Sequence, residues 1–354
     1  MNIAHHRLVN QRLASSGFTT PDQVVTWLGA VQAQDFEGAK WAIGQRMIRA
    51  TNHGIEQAFS NGTLLRTHVM RPTWHFVAPS DIRWMLKLTA PRVKMILASY
   101  NRRLEVDDSV FKRSNKAFAK ALKNGKQLTR SELKEVLQGA GINTDDQRLV
   151  RILANSELDG LICSGPKNGK QFTYALLDDR VPPTKDRTRE ESLADLTRRY
   201  FTSHGPATLQ DFAWWSGLTR KEIREGLDLS KREIRNEVFA GKTYWFAAEM
   251  PTVRRSIQNF FLLPAYDEYL VAYKDRSAAI DARNIQTNRS PFFDPTVVSE
   301  GRVIGMWRRS ISNGEASIRT TPLRKFREVE KEQLRKAAKR YGDFLGLKVI
   351  VVNS

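Results

Sequence analysis

Two glutamines one residue apart, Gln32 and Gln34, sit in the stretch Val31-Gln32-Ala33-Gln34-Asp35, between two otherwise apolar segments. On a helix, residues two apart face nearly opposite sides, whereas on an extended segment they face the same way. An extended connector would therefore present two carboxamides to one site. Each amide offers an acceptor oxygen and two donors, enough to hold a water molecule and a polar substrate together. The bland alternative is a connector whose glutamines only satisfy backbone groups.

The elements around the pair decide what it can face. Thr20-Pro21-Asp22-Gln23 has the form of a capping box with proline at the first helical position, and Val24, Val25 and Leu28 form the apolar stripe of the helix it opens. A second helix is expected from Glu37 to about Ile48 and a third over Gly54–Ser60. Asn61-Gly62 then turns the chain into alternating residues from Leu64 to Met70, with Arg71-Pro72-Thr73 as a hairpin tip and Trp74–Val77 as the return strand. Three helices followed by a two-stranded hairpin is the pattern of a winged helix-turn-helix.

The pattern recurs. After a basic, helical stretch at Arg102–Lys126, Thr129-Arg130-Ser131-Glu132 caps a helix, Thr144–Gln147 opens a longer one, and Gly160–Ser164 and Gln171–Leu176 make a second hairpin. A third copy follows the polar linker Asp178–Arg189. It has helices at Glu191–Phe201, after Thr208 and after Thr219, then strands at Ile234–Phe239 and Thr243–Phe246. Repetition on this scale argues for tandem modules. The remainder reads as several strands with one basic helix at Glu328–Arg340. The expected fold is mainly α with β-hairpins (α+β). Three tandem winged-helix domains (1–100 with its wing at 64–77, 101–185 and 186–250) precede a β-rich, barrel-like domain at 251–354.

Composition narrows the partner. The 354 residues include 57 Lys+Arg against 38 Asp+Glu, a formal net charge of +19, and an isoelectric point near 10.1. Such a surplus points to a polyanion, with nucleic acid as the usual one. No apolar run approaches the roughly 18–20 residues of a membrane span, and the N-terminus lacks a signal-peptide core. A single cysteine, Cys163, excludes an intramolecular disulfide and a cysteine-rich metal site. The six histidines show no ligand spacing. The expectation is a cytoplasmic, metal-free protein that works without an organic cofactor.

Five stretches together carry a family resemblance: Leu28–Gln34, the hairpin Arg66–Val77, His204–Leu218 (HGPATLQDFAWWSGL), Leu263–Tyr269 (LPAYDEY) and Gly301–Arg309. The chain resembles the AlkZ/YcaQ-type winged-helix DNA glycosylases over essentially its whole length. The resemblance implies three winged helices and a barrel-like domain around DNA, and removal of N7-alkylated guanine or unhooking of interstrand crosslinks. It implies an active-site motif that is QxQ in one branch and QxD in the other. The motif QAQ assigns the catalytic role to Gln32 and Gln34, and Asp35 falls one residue late for the QxD pattern.

The chemistry is consistent with that motif. Glycosidic hydrolysis passes through an oxocarbenium-like state. A glutamine is no useful general base, yet its carbonyl oxygen can orient water and place negative dipole density near the sugar. N7-alkylguanine already carries positive charge and leaves without protonation, so a weak catalytic group is tolerable for that lesion. The resembled family also implies a hairpin that probes the DNA groove. Arg66 and Arg71 become phosphate or groove contacts, His68 and His75 lesion or water contacts, and Met70 and Thr73 part of the DNA-facing tip. For His75 the alternative is a core position, and for Arg66 an internal ion pair. The Asp267-Glu268 pair is expected to organise arginines such as Arg276 or Arg302, outside the catalytic set. His204-Gly205-Pro206 and Trp214-Trp215 read as a helix break and an aromatic core. The resulting expectation is a monomeric, monofunctional DNA glycosylase on alkylated duplex DNA. The rival reading is a winged-helix transcription regulator that binds DNA without chemistry.

Overall fold

The structure, a computed structural model, describes residues 2–15, 17–145, 147–250, 260–281 and 293–352. Residues 251–259 and 282–292 of the C-terminal region lie outside them. The chain mixes α and β structure and divides into two compact units. One comprises Met1–Glu56, Ala194–Trp215 and Thr219–Ser354, and the other Gln57–Leu193 with Ser216–Leu218. The division at 56/57 falls inside the helix Asn52–Ser60, so the first helix-and-hairpin pattern is shared between the units.

In the first unit, helices from the start of the chain are knitted onto strands from its end. The helix Ile3–Asn10 and the turn after it bury Leu8, Val9, Leu13 and Ala14 in one cluster with Phe261, Leu263, Tyr269 and Val298. Among the described residues the sheet has five strands, in the order Lys348–Val352, Glu315–Pro322, Arg302–Ser312, Thr296–Ser299 and Phe260–Leu263. Neighbours are antiparallel except for the first pair, which is parallel. Lys348–Val352 and Phe260–Leu263 are its edge strands among the described residues, and the expected barrel-like domain takes the form of a curled half-barrel sheet. The helix Phe36–Gly44 is anchored by Trp41, whose indole N–H donates to the Leu262 carbonyl at 2.7 Å and whose ring meets Tyr341 and Phe344. These aromatics belong to the helix Glu328–Leu345, which runs past the expected Arg340 to a left-handed C-cap at Gly346.

The second unit contains the hairpin Leu65–His68/Trp74–Val77, paired from Leu65↔Val77 to His68↔Trp74. The helix Pro79–Arg103 follows, 25 residues long with Pro91 inside it. No helix is expected here from the sequence, and Pro91 removes one backbone donor inside it. Helices Asp108–Ala121, Arg130–Gly139 and Arg148–Leu158 then pack with a three-stranded sheet in the order Leu128–Thr129, Thr173–Leu176, Ile162–Ser164. Phe118, Leu133, Leu137, Ile152 and Ile162 form their common core. The predicted capping box is present: Thr129 and Glu132 exchange side-chain-to-backbone bonds at 2.6 and 3.3 Å.

Candidate active site

The helix Pro21–Leu28 delivers the glutamine motif. It ends at Gly29, whose φ of +82° favours glycine and whose absent Cβ would lie 3.2 Å from the Trp215 ring. Val31 and Gln32 are extended, and Gln34 and Asp35 bend into the helix Phe36–Gly44. Asp35 is the N-cap of that helix, with Oδ1 accepting the Gly38 N–H at 3.1 Å. A Cβ at Gly38 would come within 2.5 Å of Asp35 Oδ2, so the cap requires glycine there. This gives Asp35 a structural task. The extended conformation stops short of spanning both glutamines. Gln32 is buried, 5% exposed, while Gln34 is exposed.

Gln32 is held from a distant part of the chain. Its backbone N–H donates to Glu268 Oε1 at 2.9 Å, across 236 residues of sequence. Glu268 is fully buried. Its Oε2 accepts the Trp215 indole N–H at 2.9 Å, and His204 Nε2 stands 3.5 Å away. Burial holds the His204 imidazole below its ordinary pKa against the opposing pull of Glu268, which favours the neutral ring at neutral pH.

The neighbouring Asp267 caps the short helix Glu268–Val271 through the Tyr269 N–H. It also takes both arms of the Arg46 guanidinium, at 2.9 and 3.0 Å. Arg46 donates further to the Ala42 and Gln11 carbonyls and to Gln11 Oε1, and both partners of the ion pair are buried. Gln11 in turn donates to the Tyr273 hydroxyl, which donates to the His204 carbonyl. A buried charge pair is tolerable only with such full coordination.

This corrects the expectation for the acidic pair. The arginine that Asp267 organises is Arg46, whereas Arg276 donates to the Leu270 carbonyl and Arg302 to the Ser277 carbonyl. Arg46 and Glu268 are the residues that sequence reading missed as supports of the motif. The usable signal was LPAYDEY itself, two carboxylates directly after a buried apolar strand. Trp215, as expected, is an aromatic core residue, fully buried against Tyr200, Phe212 and His204.

The predicted DNA-facing residues lie in the other unit and differ sharply in exposure. Met70 and His75 have no accessible surface, and His68 has 6%. His68 bonds Glu157 twice, through its backbone N–H at 3.2 Å and through Nδ1. Met70, at a φ of +61°, accepts a rare backbone conformation and donates its N–H to Thr89 Oγ1. Nδ1 of His75 meets the Thr73 carbonyl at 2.9 Å. The Arg66 guanidinium lies over the rings of Trp74 and Phe172, 4.4 and 4.9 Å from their centroids, and burial lowers its pKa. The two histidines and Met70 therefore occupy interior positions. Arg66, Arg71 and Thr73 keep partial exposure. The six candidates form one hairpin but do not form one surface.

Among the described residues, no group of three or more His, Cys, Asp or Glu side chains is placed to hold a metal ion, and no helix is long and apolar enough to cross a membrane. Burial pushes the Cys163 thiol up to about 12, so it is unsuited to act as a thiolate nucleophile.

A family model described as DNA glycosylase AlkZ-like matches residues 25–344. The chain belongs to the AlkZ-like DNA glycosylase family. The match takes in the glutamine motif, the hairpin and the acidic pair. Its enzyme class is DNA glycosylase, and DNA is its substrate. An interstrand DNA cross-link repair glycosylase of Streptomyces sahachiroi is 24% identical over 317 residues, covering 85% of each chain. The solved structure of the DNA glycosylase AlkZ from that organism has the same fold, with a TM-score of 0.80 at 22% identity. It covers 99% of this chain and 98% of its own.

Proposed function

We propose that the chain is a monofunctional glycosylase that hydrolyses the N-glycosidic bond of N7-alkylated guanine in duplex DNA and unhooks interstrand crosslinks made through that position. Gln32 and Gln34 are its catalytic residues. Their amides orient the attacking water and set carbonyl dipoles against the positive charge that grows on the sugar. The observation that carries this reading is the fixing of Gln32: a motif of two neutral amides is tethered by its backbone to a buried carboxylate, with Gln34 exposed beside it. Amides cannot protonate a leaving base, which restricts the reaction to bases that leave unaided. Cationic N7-alkylguanine is such a base. The cross-link repair name of the S. sahachiroi relative supports the bulkier substrate.

Three helix-and-hairpin modules, with hairpins at 65–77, 162–176 and 234–247, are read as winged helices that each contact DNA, in a chain whose formal net charge is +19. The enzyme acts as a monomer without metal or organic cofactor. Arg66, Arg71 and Thr73 are the hairpin residues assigned to DNA, and His68, Met70 and His75 shape the hairpin from inside.

The test is base release from a duplex containing N7-methylguanine, read as alkali-sensitive strand cleavage, alongside a crosslinked duplex. Release by the native chain and its loss in Gln32→Ala and Gln34→Ala, with duplex binding retained, is the expected result. No release from either duplex, together with tight sequence-specific binding to undamaged DNA, would instead identify a regulator.

A further inference from the structure

We propose that Glu268 is a positioning residue for Gln32, acting through the backbone of the strand that carries the amide. This rests on the assignment of Gln32 to catalysis. Three observations support it. Glu268 is fully buried and lies 236 residues from Gln32, so the contact is made by the fold and not by local chain stiffness. Its two oxygens accept two different N–H donors at equal distance, the Gln32 backbone and the Trp215 indole, each 2.9 Å. The carboxylate itself is placed by the helix Glu268–Val271, whose N-cap Asp267 is locked to Arg46. Motion of that helix would therefore be transmitted to Gln32.

The site needs an acceptor on both sides, and only a carboxylate supplies one. A glutamine in the same place has a single acceptor oxygen and an NH2 group. Whichever way it turns, one of the two N–H donors faces another donor. Glu268→Gln is thus nearly isosteric yet breaks one of the two bonds. Glu268→Asp keeps both acceptors but retracts them by one methylene. A misplacement of about 1 Å at a reacting group can cost on the order of 100-fold in rate, while the DNA-binding surface is untouched by either change.

The experiment uses the full chain, native and with Glu268→Gln or Glu268→Asp. It follows single-turnover release of N7-methylguanine, duplex affinity, and the glutamine amide resonances of ¹⁵N-glutamine-labelled protein. The Gln32 resonance is assigned by its loss in Gln32→Asn. The expected result is release slowed about 10- to 100-fold in Glu268→Gln and less in Glu268→Asp. Duplex affinity should stay within about two-fold, and the Gln32 amide should move and exchange faster. Release at the native rate by a folded Glu268→Gln chain would overturn the proposal. So would an unmoved, equally protected Gln32 amide. If the native chain releases no base, the glycosylase assignment for this lesion fails, and the amide resonance still decides whether Glu268 holds the strand. If Glu268→Gln does not fold, Glu268→Asp carries both readouts, and a native release rate there overturns the proposal equally.

Discussion

The strand at Gln32 and the strand at His68 are fixed by the same device. In each, a backbone N–H donates to a buried glutamate far away in sequence, Glu268 at 2.9 Å and Glu157 at 3.2 Å. The difference lies in what else the carboxylate takes. Glu268 divides its oxygens between the Gln32 backbone and the Trp215 indole. Glu157 takes the backbone and the imidazole of His68 together. The first arrangement fixes a strand through its backbone, while the second engages the side chain in the same clamp. A histidine that looks available for chemistry in the sequence is thus committed to structure, while the contact to the Gln32 strand is made through its backbone N–H.

This contrast can be broken at several points. The largest effect is expected on stability at Arg46. Arg46→Ala leaves Asp267 buried without its guanidinium, and losing one member of a buried pair costs about 3–5 kcal/mol. Denaturant unfolding of the variant measures it, and a loss below about 1 kcal/mol would show that the pair is dispensable to the Glu268 support. Next come the amides. Gln34→Ala and Gln32→Ala should each lower the single-turnover rate by about 100- to 1,000-fold, the scale of removing one preorganised dipole from a developing charge. Duplex affinity should change little, so a parallel loss of binding would count against a role in the chemical step.

At the other strand the prediction separates folding from chemistry. His68→Ala strips Glu157 of its ring partner and should destabilise the second unit by about 1–3 kcal/mol, the cost of an unsatisfied buried acceptor. At a temperature where the variant is folded, base release should stay within a few-fold of native. A rate loss as large as that of Gln34→Ala would return His68 to the reacting centre.

The pH dependence follows from His204. Its folded pKa lies below the ordinary 6.5. Between these two values the unfolded chain binds a proton that the folded one refuses. The stability contribution is complete above about 6.5 and falls as the pH is lowered through that window. Melting temperatures from pH 7.5 to 5 should decline, and His204→Gln should flatten the decline. The smallest effect belongs to the hairpin surface. Arg71→Ala should weaken duplex binding evenly across sequences and reduce the salt slope by about 1.

Much of the framework was legible in local sequence. Capping boxes at Gln23, Glu132 and Glu222 marked helix starts, and the strands expected at Ile234–Phe239 and Thr243–Phe246 pair in the structure. These signals act over three or four residues, so they survive without knowledge of the rest of the chain. The glutamine pair, and the net charge of +19 that pointed to DNA, were equally readable. The supports of the site were a different matter. Nothing local tells Glu268 that its partner is the N–H of Gln32, or Asp267 that its arginine is Arg46 rather than Arg276. Those pairings are chosen when the chain's first helices pack onto its last strands, because a buried carboxylate must find donors wherever the core supplies them. The same rule took His68 and His75 inside the hairpin unit. Sequence determined which residues could do chemistry, and tertiary structure decided which distant groups hold them and how far each is buried.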